Sequence, residues 1–199
     1  MHTLAPPVAS AIVKPEELSQ TVEVLSQAFA NDPVWSWVFP DPAHRRAYWH
    51  LLVTGAARFP WICRTPGFES VAVWIPPDAR EFLPEDEINL PEIVAGWVGK
   101  GAARVLEVFR RFDAGHPRDE RHFYLGLLGT RDSARGHGFG MALLAANLAR
   151  IDAEHAPAYL ESTNPSNVPK YQALGFEPMD RFQVLDGGPW VVRMWRAIR

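Results

Sequence analysis

Cysteine is almost missing from this chain of 199 residues, and Cys63 is the only one. A single thiol closes no intrachain disulfide and builds no cysteine-rich zinc site. A surplus of positive charge is missing too. The formal net charge is -3 and the isoelectric point lies near 6.2, so the clustered Lys and Arg surface that binds nucleic acid is not expected. No apolar run approaches the roughly 20 residues of a membrane span, and residues 1 to 11 lack the basic start and apolar core of an export signal. A cytoplasmic location follows as the expectation, with neither membrane nor nucleic acid as partner. No internal repeat is visible. What is present is the make-up of a globular chain: 47% hydrophobic and 22% charged residues, enough for one sizeable core. Residues 1 to 11 are expected to be ill-ordered apart from a short first strand ending at Ala11-Ile12-Val13. Residues 12 to 199 are expected to form a single domain.

Punctuation sets out the elements. Pro15-Glu16-Glu17 starts a helix, because proline at the first helical position loses no bond and the acids suit the positive end of the dipole. That helix stops near Asn31-Asp32-Pro33. A loop carrying Trp35, Trp37 and Phe39 follows, then Asp41-Pro42 opens a helix to about Arg58. Strands are expected over Trp61 to Arg64 and Ser70 to Ile75, joined around Pro66-Gly67. The acidic stretch Asp78 to Asn89 has no clear period and reads as a surface loop. Pro91 begins a helical stretch to about Phe112, in which Gly96, Gly99 and Gly101 leave one helix or two broken helices open. His116 and His122 have no third ligand at recognisable spacing, so no metal is expected. Beyond residue 154, the chain reads as a strand over Ala158 to Ser162, a short helix over Asn164 to Leu174, and a closing hairpin around Asp186-Gly187-Gly188-Pro189.

The centre of the chain carries the chemistry. Phe123 to Thr130 has the composition of a buried strand. A helix follows, with Met141, Leu144, Leu148 and Ile151 on its apolar face and Asn147, Arg150 and Glu154 on its polar face. Between them, Arg135-Gly136-His137-Gly138-Phe139-Gly140 alternates glycines where a ligand can approach the backbone. The free N–H groups of the helix start suit an anion, typically phosphate. A P-loop would need Gly-Lys before Ser or Thr, whereas Gly140 is followed by Met141 and Ala142. A dinucleotide fingerprint would need Gly or Ala where Met141 stands, although Glu161 lies near the distance of a ribose-binding acid. The residues after Gly140 are also too few for the further strand-helix units of a doubly wound sheet.

Arg135-x-x-Gly138-x-Gly140 resembles the pyrophosphate loop of the GNAT superfamily of acyl-CoA-dependent N-acetyltransferases. The resemblance continues through Tyr159-Leu160-Glu161-Ser162-Thr163-Asn164, Asn167 and Tyr171-x-x-x-Gly175-Phe176, and it covers roughly residues 122 to 176. Within the superfamily, the pattern is closest to puromycin N-acetyltransferase-like proteins. The resemblance implies an α+β fold: a central mixed, mostly antiparallel twisted sheet of six to seven strands with helices on both faces. It also implies acetyl-CoA as co-substrate, without a metal, and a primary amine as acceptor, on a chain that is a monomer or homodimer. Leu128, Gly129 and Thr130 would pair with the pantetheine arm through their backbone. Arg135, Gly136, His137, Gly138, Phe139, Gly140 and Met141 would hold the pyrophosphate, and Asn164 and Asn167 would make further cofactor contacts.

Tyr171 is the candidate acid, since a phenol of pKa about 10 can protonate a departing thiolate of pKa about 8.5. Glu161 is the candidate base for the acceptor amine, or a structural or acceptor-binding carboxylate. Trp35 and Trp37 are candidate acceptor contacts. Two departures stand out: Asp132 where the family commonly has proline, and His137 where Lys or Arg is common. The acceptor is expected to be a small molecule. A GNAT-fold protein that binds acyl-CoA without turnover, as a sensor or assembly module, is the alternative.

Overall fold

Seven strands lie in one sheet in the order β1-β2-β3-β4-β5-β7-β6. The structure is a computed structural model that describes residues 9–199; the expectation of an ill-ordered N-terminus falls largely outside them. In chain order the elements are β1 (Ala11–Ile12), a 3-10 turn (Pro15–Glu17), α1 (Leu18–Ala28), α2 (Trp35–Val38), α3 (Pro42–Ala56), β2 (Ile62–Arg64) and β3 (Ser70–Ile75). Next come α4 (Pro84–Ile88), α5 (Leu90–Val98), a 3-10 turn (Gly99–Gly101), α6 (Ala102–Gly115) and β4 (Phe123–Thr130). The last part holds α7 (Phe139–Ala153), β5 (Ala158–Ser162), α8 (Val168–Gln172), β6 (Glu177–Gln183) and β7 (Trp190–Arg196).

Only β4 and β5 run parallel, with α7 as their crossover; the other pairs are antiparallel. Strand alternation puts one core on each face. Val71, Val73 and Ile75 join α1, α3 and α6 on one side, while Ala72 and Trp74 join α7 and Phe176 on the other.

Two features of β4 position the site. Val73 pairs with Leu127 but Trp74 pairs with Leu125, so Gly126 is an unopposed residue, a β-bulge. The extra residue reverses the alternation: Phe123 and Leu125 face the α7 core, whereas Leu127 faces the α1 core. Pairing with β5 covers only Phe123–Leu125 against Ala158–Leu160. Beyond the bulge the two strands part.

Several local expectations change. The aromatic loop contains α2, because Asp32 Oδ1 accepts from the N–H groups of Val34 and Trp35, each 3.0 Å, and so caps a turn of helix. The acidic stretch expected as a loop contains α4, whose first turn holds Glu85, Asp86 and Glu87. The glycine-interrupted helix is two helices, broken where Gly99 takes φ +53°. Asn147, expected on the polar face of α7, is fully buried. Its Oδ1 accepts from Trp74 Nε1 at 3.0 Å and its Nδ2 donates to Ser10 Oγ at 3.0 Å. A buried indole N–H needs such a partner, and that need outweighs the surface preference of asparagine.

Candidate active site

The parting of β4 and β5 opens a cleft, and the residues around it come from both halves of the chain. A cavity of about 60 Å³ at the parting is lined by Gly126, Leu128, Asp32, Glu161, Asn164, Asn167 and Tyr171, among others. A larger cavity of about 450 Å³ lies beside it, walled by β3, the segment around α4, α6 and the approach to β4. Trp35, Phe112, Tyr124 and Glu161 line both, so the two cavities meet there.

Glu161 sits at that junction. Tyr124 donates its hydroxyl to Oε2 and Tyr159 donates to Oε1, both at 2.9 Å. Strand register sets this up: Tyr124 pairs with Tyr159 across β4 and β5, and Tyr159 and Glu161 are two apart on one strand, hence on one face. Burial pushes the Glu161 carboxyl up to about 7, against the pull of the two phenols. Burial drives both tyrosines well above their ordinary range, with the Glu161 charge adding to it, so they stay protonated donors. These tyrosines were not among the sequence candidates. The signal available was the shared face of Tyr159 and Glu161; the partner on β4 needed the register.

Tyr171 stands across the small cavity on α8. Its ring packs edge-on to Phe176 with centroids 6.2 Å apart. Burial, with the Asp32 carboxylate nearby, lifts the phenol to about 12. Its hydroxyl has no hydrogen-bond partner among the described residues. Asp32 is committed to the α2 cap and to Thr163, whose Oγ1 donates to Asp32 Oδ2 at 2.7 Å.

The glycine loop lies at the start of α7. Gly136 and Gly138 take φ +80° and +81°, which L side chains rarely adopt. Among the described residues none accepts from the amides of Gly136 to Met141; the first helical bond runs from Ala142 N–H to Gly138 C=O at 2.9 Å. A row of unpaired N–H groups at a helix start fits a pyrophosphate. Gly140 is needed for space, since a Cβ there would come within 2.8 Å of Thr130 Oγ1. Gly129 likewise leaves room for α1, as a Cβ would meet Ala28 at 2.9 Å. The Arg135 side chain is engaged inside the protein: it donates to Asp132 Oδ1 at 2.8 Å and to the Ala28 carbonyl at 2.8 Å. Asp132 thus finds its counter-ion within the loop. Gly136 and His137 are exposed, with His137 Nδ1 3.0 Å from the Arg135 carbonyl oxygen.

Other candidates sort by position. Leu128 lines the small cavity. Asn164 lines it too, while its side chain caps the 3-10 turn Pro165–Asn167 by accepting from Ser166 N–H at 3.1 Å. Asn167 Oδ1 accepts from Lys170 Nζ at 2.9 Å. Trp35 lines both cavities and stacks on Phe112 at 5.6 Å. Trp37 does not: it lies under the Arg104 guanidinium at 3.8 Å and against Gly188, outside both walls. His116, in the loop after α6, and His122, at the edge of β4, both line the large cavity, with Nε2 atoms 3.1 Å apart. Burial lowers His116 to about 4, so it is neutral.

No family model matches the chain. Solved structures do. A histone acetyltransferase HPA2 and related acetyltransferase from Corynebacterium glutamicum is 25% identical, with a TM-score of 0.64 and 98% of each chain covered. A polyamine N-acetyltransferase of Drosophila melanogaster, which catalyses formation of N-acetylagmatine, is 16% identical with a TM-score of 0.63, covering 96% of this chain and 100% of its own. A chain of the NatC complex bound to Gag peptide and CoA is 16% identical with a TM-score of 0.55, covering 98% and 100%. By strand order, the single parallel pair and these likenesses, the chain has the GNAT fold of N-acetyltransferases.

Proposed function

We infer that the chain is an N-acetyltransferase that moves the acetyl group of acetyl-CoA to a primary amine of a small molecule, by direct attack with both substrates bound. One observation carries the reading: a phenol without a hydrogen-bond partner among the described residues and a carboxyl of pKa about 7 line the same narrow cleft, the carboxyl where that cleft meets a wide cavity. The likeness to a structure solved with CoA and to one that forms N-acetylagmatine supports it. Acetyl-CoA supplies an activated acyl group and a thiolate leaving group. The amides of Gly136 to Met141 and the free edge of β4 around Leu128 and Thr130 hold it. An N–H near Leu128 stabilises the oxyanion.

Glu161 takes the proton of the arriving ammonium, directly or through water, since only the neutral amine attacks. Tyr171 returns a proton to the thiolate. A phenol at about 12 is fully protonated at working pH, and the same dry surroundings raise the thiolate's demand for that proton. A sensor that binds acyl-CoA without turnover has no use for a partnerless hydroxyl there. The finer resemblance, to puromycin N-acetyltransferase-like proteins, rests on the sequence pattern, and the chain would work in the cytoplasm as monomer or homodimer.

The test is turnover with acetyl-CoA over a panel of amines, read as thiol release, beside calorimetry with acetyl-CoA. Tyr171→Phe should lower kcat at least about tenfold and leave acetyl-CoA affinity nearly unchanged. A kcat within about twofold of the parent returns Tyr171 to packing alone.

A further inference from the structure

The large cavity contains a carboxylate that the chemistry above leaves unused. Glu81 lies between β3 and α4, and it lines the cavity as a half-buried residue. The backbone on either side of it is fastened. Arg58 Nη2 donates to the carbonyls of Arg80 and Phe82, 2.7 Å each. Gly55 makes room for the Glu81 carbonyl, which a Cβ at that position would meet at 2.1 Å.

Among the described residues, Glu81, Glu161 and the exposed Glu120 are the wall carboxylates without an ion pair. Arg80 pairs with Glu87 at 3.0 Å, Arg110 with Glu107 at 2.7 Å, Arg121 with Asp78 at 2.6 Å, and Arg118 with Asp113. Glu161 has its two phenols. Among the described residues Glu81 has neither an ion pair nor a hydrogen bond. Burial, with the charges of Glu161, Asp113 and Glu87, pushes its carboxyl up to about 8. Near neutral pH the carboxyl is therefore largely protonated in the empty protein, and a cation bound beside it would favour its ionised form. Aromatic rings line the same cavity: Tyr48 lies 6.5 Å from Phe82 and stacks on Phe109 at 5.0 Å. Such faces attract cations as well as apolar carbon.

We propose that Glu81, with Tyr48, Phe82 and Phe109, binds a second cationic group on the acceptor, so that the substrate is a diamine or an amine bearing another cation, its reacting end at Glu161. The subsite rests on the reading of this cavity as the acceptor site. A dication favours the ionised form of both carboxyls lining the cavity, whereas a monoamine matches only one.

The experiment compares α,ω-diamines with n-alkylamines and amino alcohols of equal length, as acceptors with acetyl-CoA and as ligands in calorimetry without it, on the parent and on Glu81→Gln. Diamines should exceed matched monoamines in kcat/KM by at least about tenfold on the parent, the worth of one charge-assisted contact. In Glu81→Gln that ratio should collapse toward one, whatever the absolute rates. The comparison on the parent needs no variant, so a misfolded Glu81→Gln does not shield the proposal. Equal kcat/KM for diamines, monoamines and amino alcohols overturns the subsite and leaves the acetyltransferase standing. Diamine binding that Glu81→Gln abolishes, without turnover of any amine, supports the subsite and overturns the acetyltransferase.

Discussion

Glu161 shows how one residue's role follows from its neighbours rather than its type. On an exposed strand it would stay ionised; here burial holds it near 7, while Tyr124 and Tyr159 keep it oriented with both oxygens engaged. A carboxyl raised to about 7 is protonated below that pH and becomes an acceptor for protons above it. The rate constant kcat/KM should therefore rise with pH through about 7 as the base form is populated. Glu161→Gln should remove that limb and lower the rate by about 10² or more, while the steeper rise from deprotonation of free amine at higher pH remains. An unchanged profile near 7 in the variant would mean that water or another group takes the proton. The sequence supplied Glu161 and Tyr171 through one motif, yet not the two phenols, because a residue 37 positions away reaches Glu161 only through strand register.

Strands were easier to read than the ligand-facing details of helices. β3 and β4 fall where alternating and β-branched residues put them, at Ser70–Ile75 and Phe123–Thr130. What periodicity misses is the bulge at Gly126, although a lone glycine inside a strand is a signal for one, and the burial of Asn147, whose partner Trp74 is 73 positions away. At the loop before α7, the proposed binding depends on backbone conformation, so the test belongs there. Gly138 has φ +81° and caps the helix from the left-handed region. Gly138→Val places a β-branched residue in that region, at a cost of roughly 1–3 kcal/mol, and turns the loop amides away. Acetyl-CoA affinity should fall at least about tenfold in calorimetry, with the far-ultraviolet circular dichroism of the folded parent retained. Unchanged affinity would move the pyrophosphate elsewhere.

Across the whole molecule the walls of the two cavities come mostly from different stretches of chain. The wide cavity is walled mostly by segments before β4, among them β3, the segment around α4 and α6, with Tyr124 and Glu161 at its junction; the loop amides, β5 and Tyr171 come from β4 onward. Only the second stretch carries a recognisable pattern, since backbone amides and a fixed tyrosine impose spacing, whereas a cavity wall can be built from many side chains. Arg58 lies in the first stretch, away from the cleft. Its Nε donates to the Gly55 carbonyl at 2.7 Å, and its Nη2 holds the carbonyls on both sides of Glu81. Arg58→Ala removes three charge-assisted bonds at a largely exposed site, so stability should fall by about 1–3 kcal/mol, near 3–8 °C in Tm. The freed wall should raise the acceptor KM by about fivefold or more. The amides of Gly136 to Met141 line neither cavity, so acetyl-CoA affinity should stay within about twofold. A matching loss of both affinities would show that the two halves of the site do not act separately, and a normal acceptor KM would show that the wall keeps its shape without Arg58.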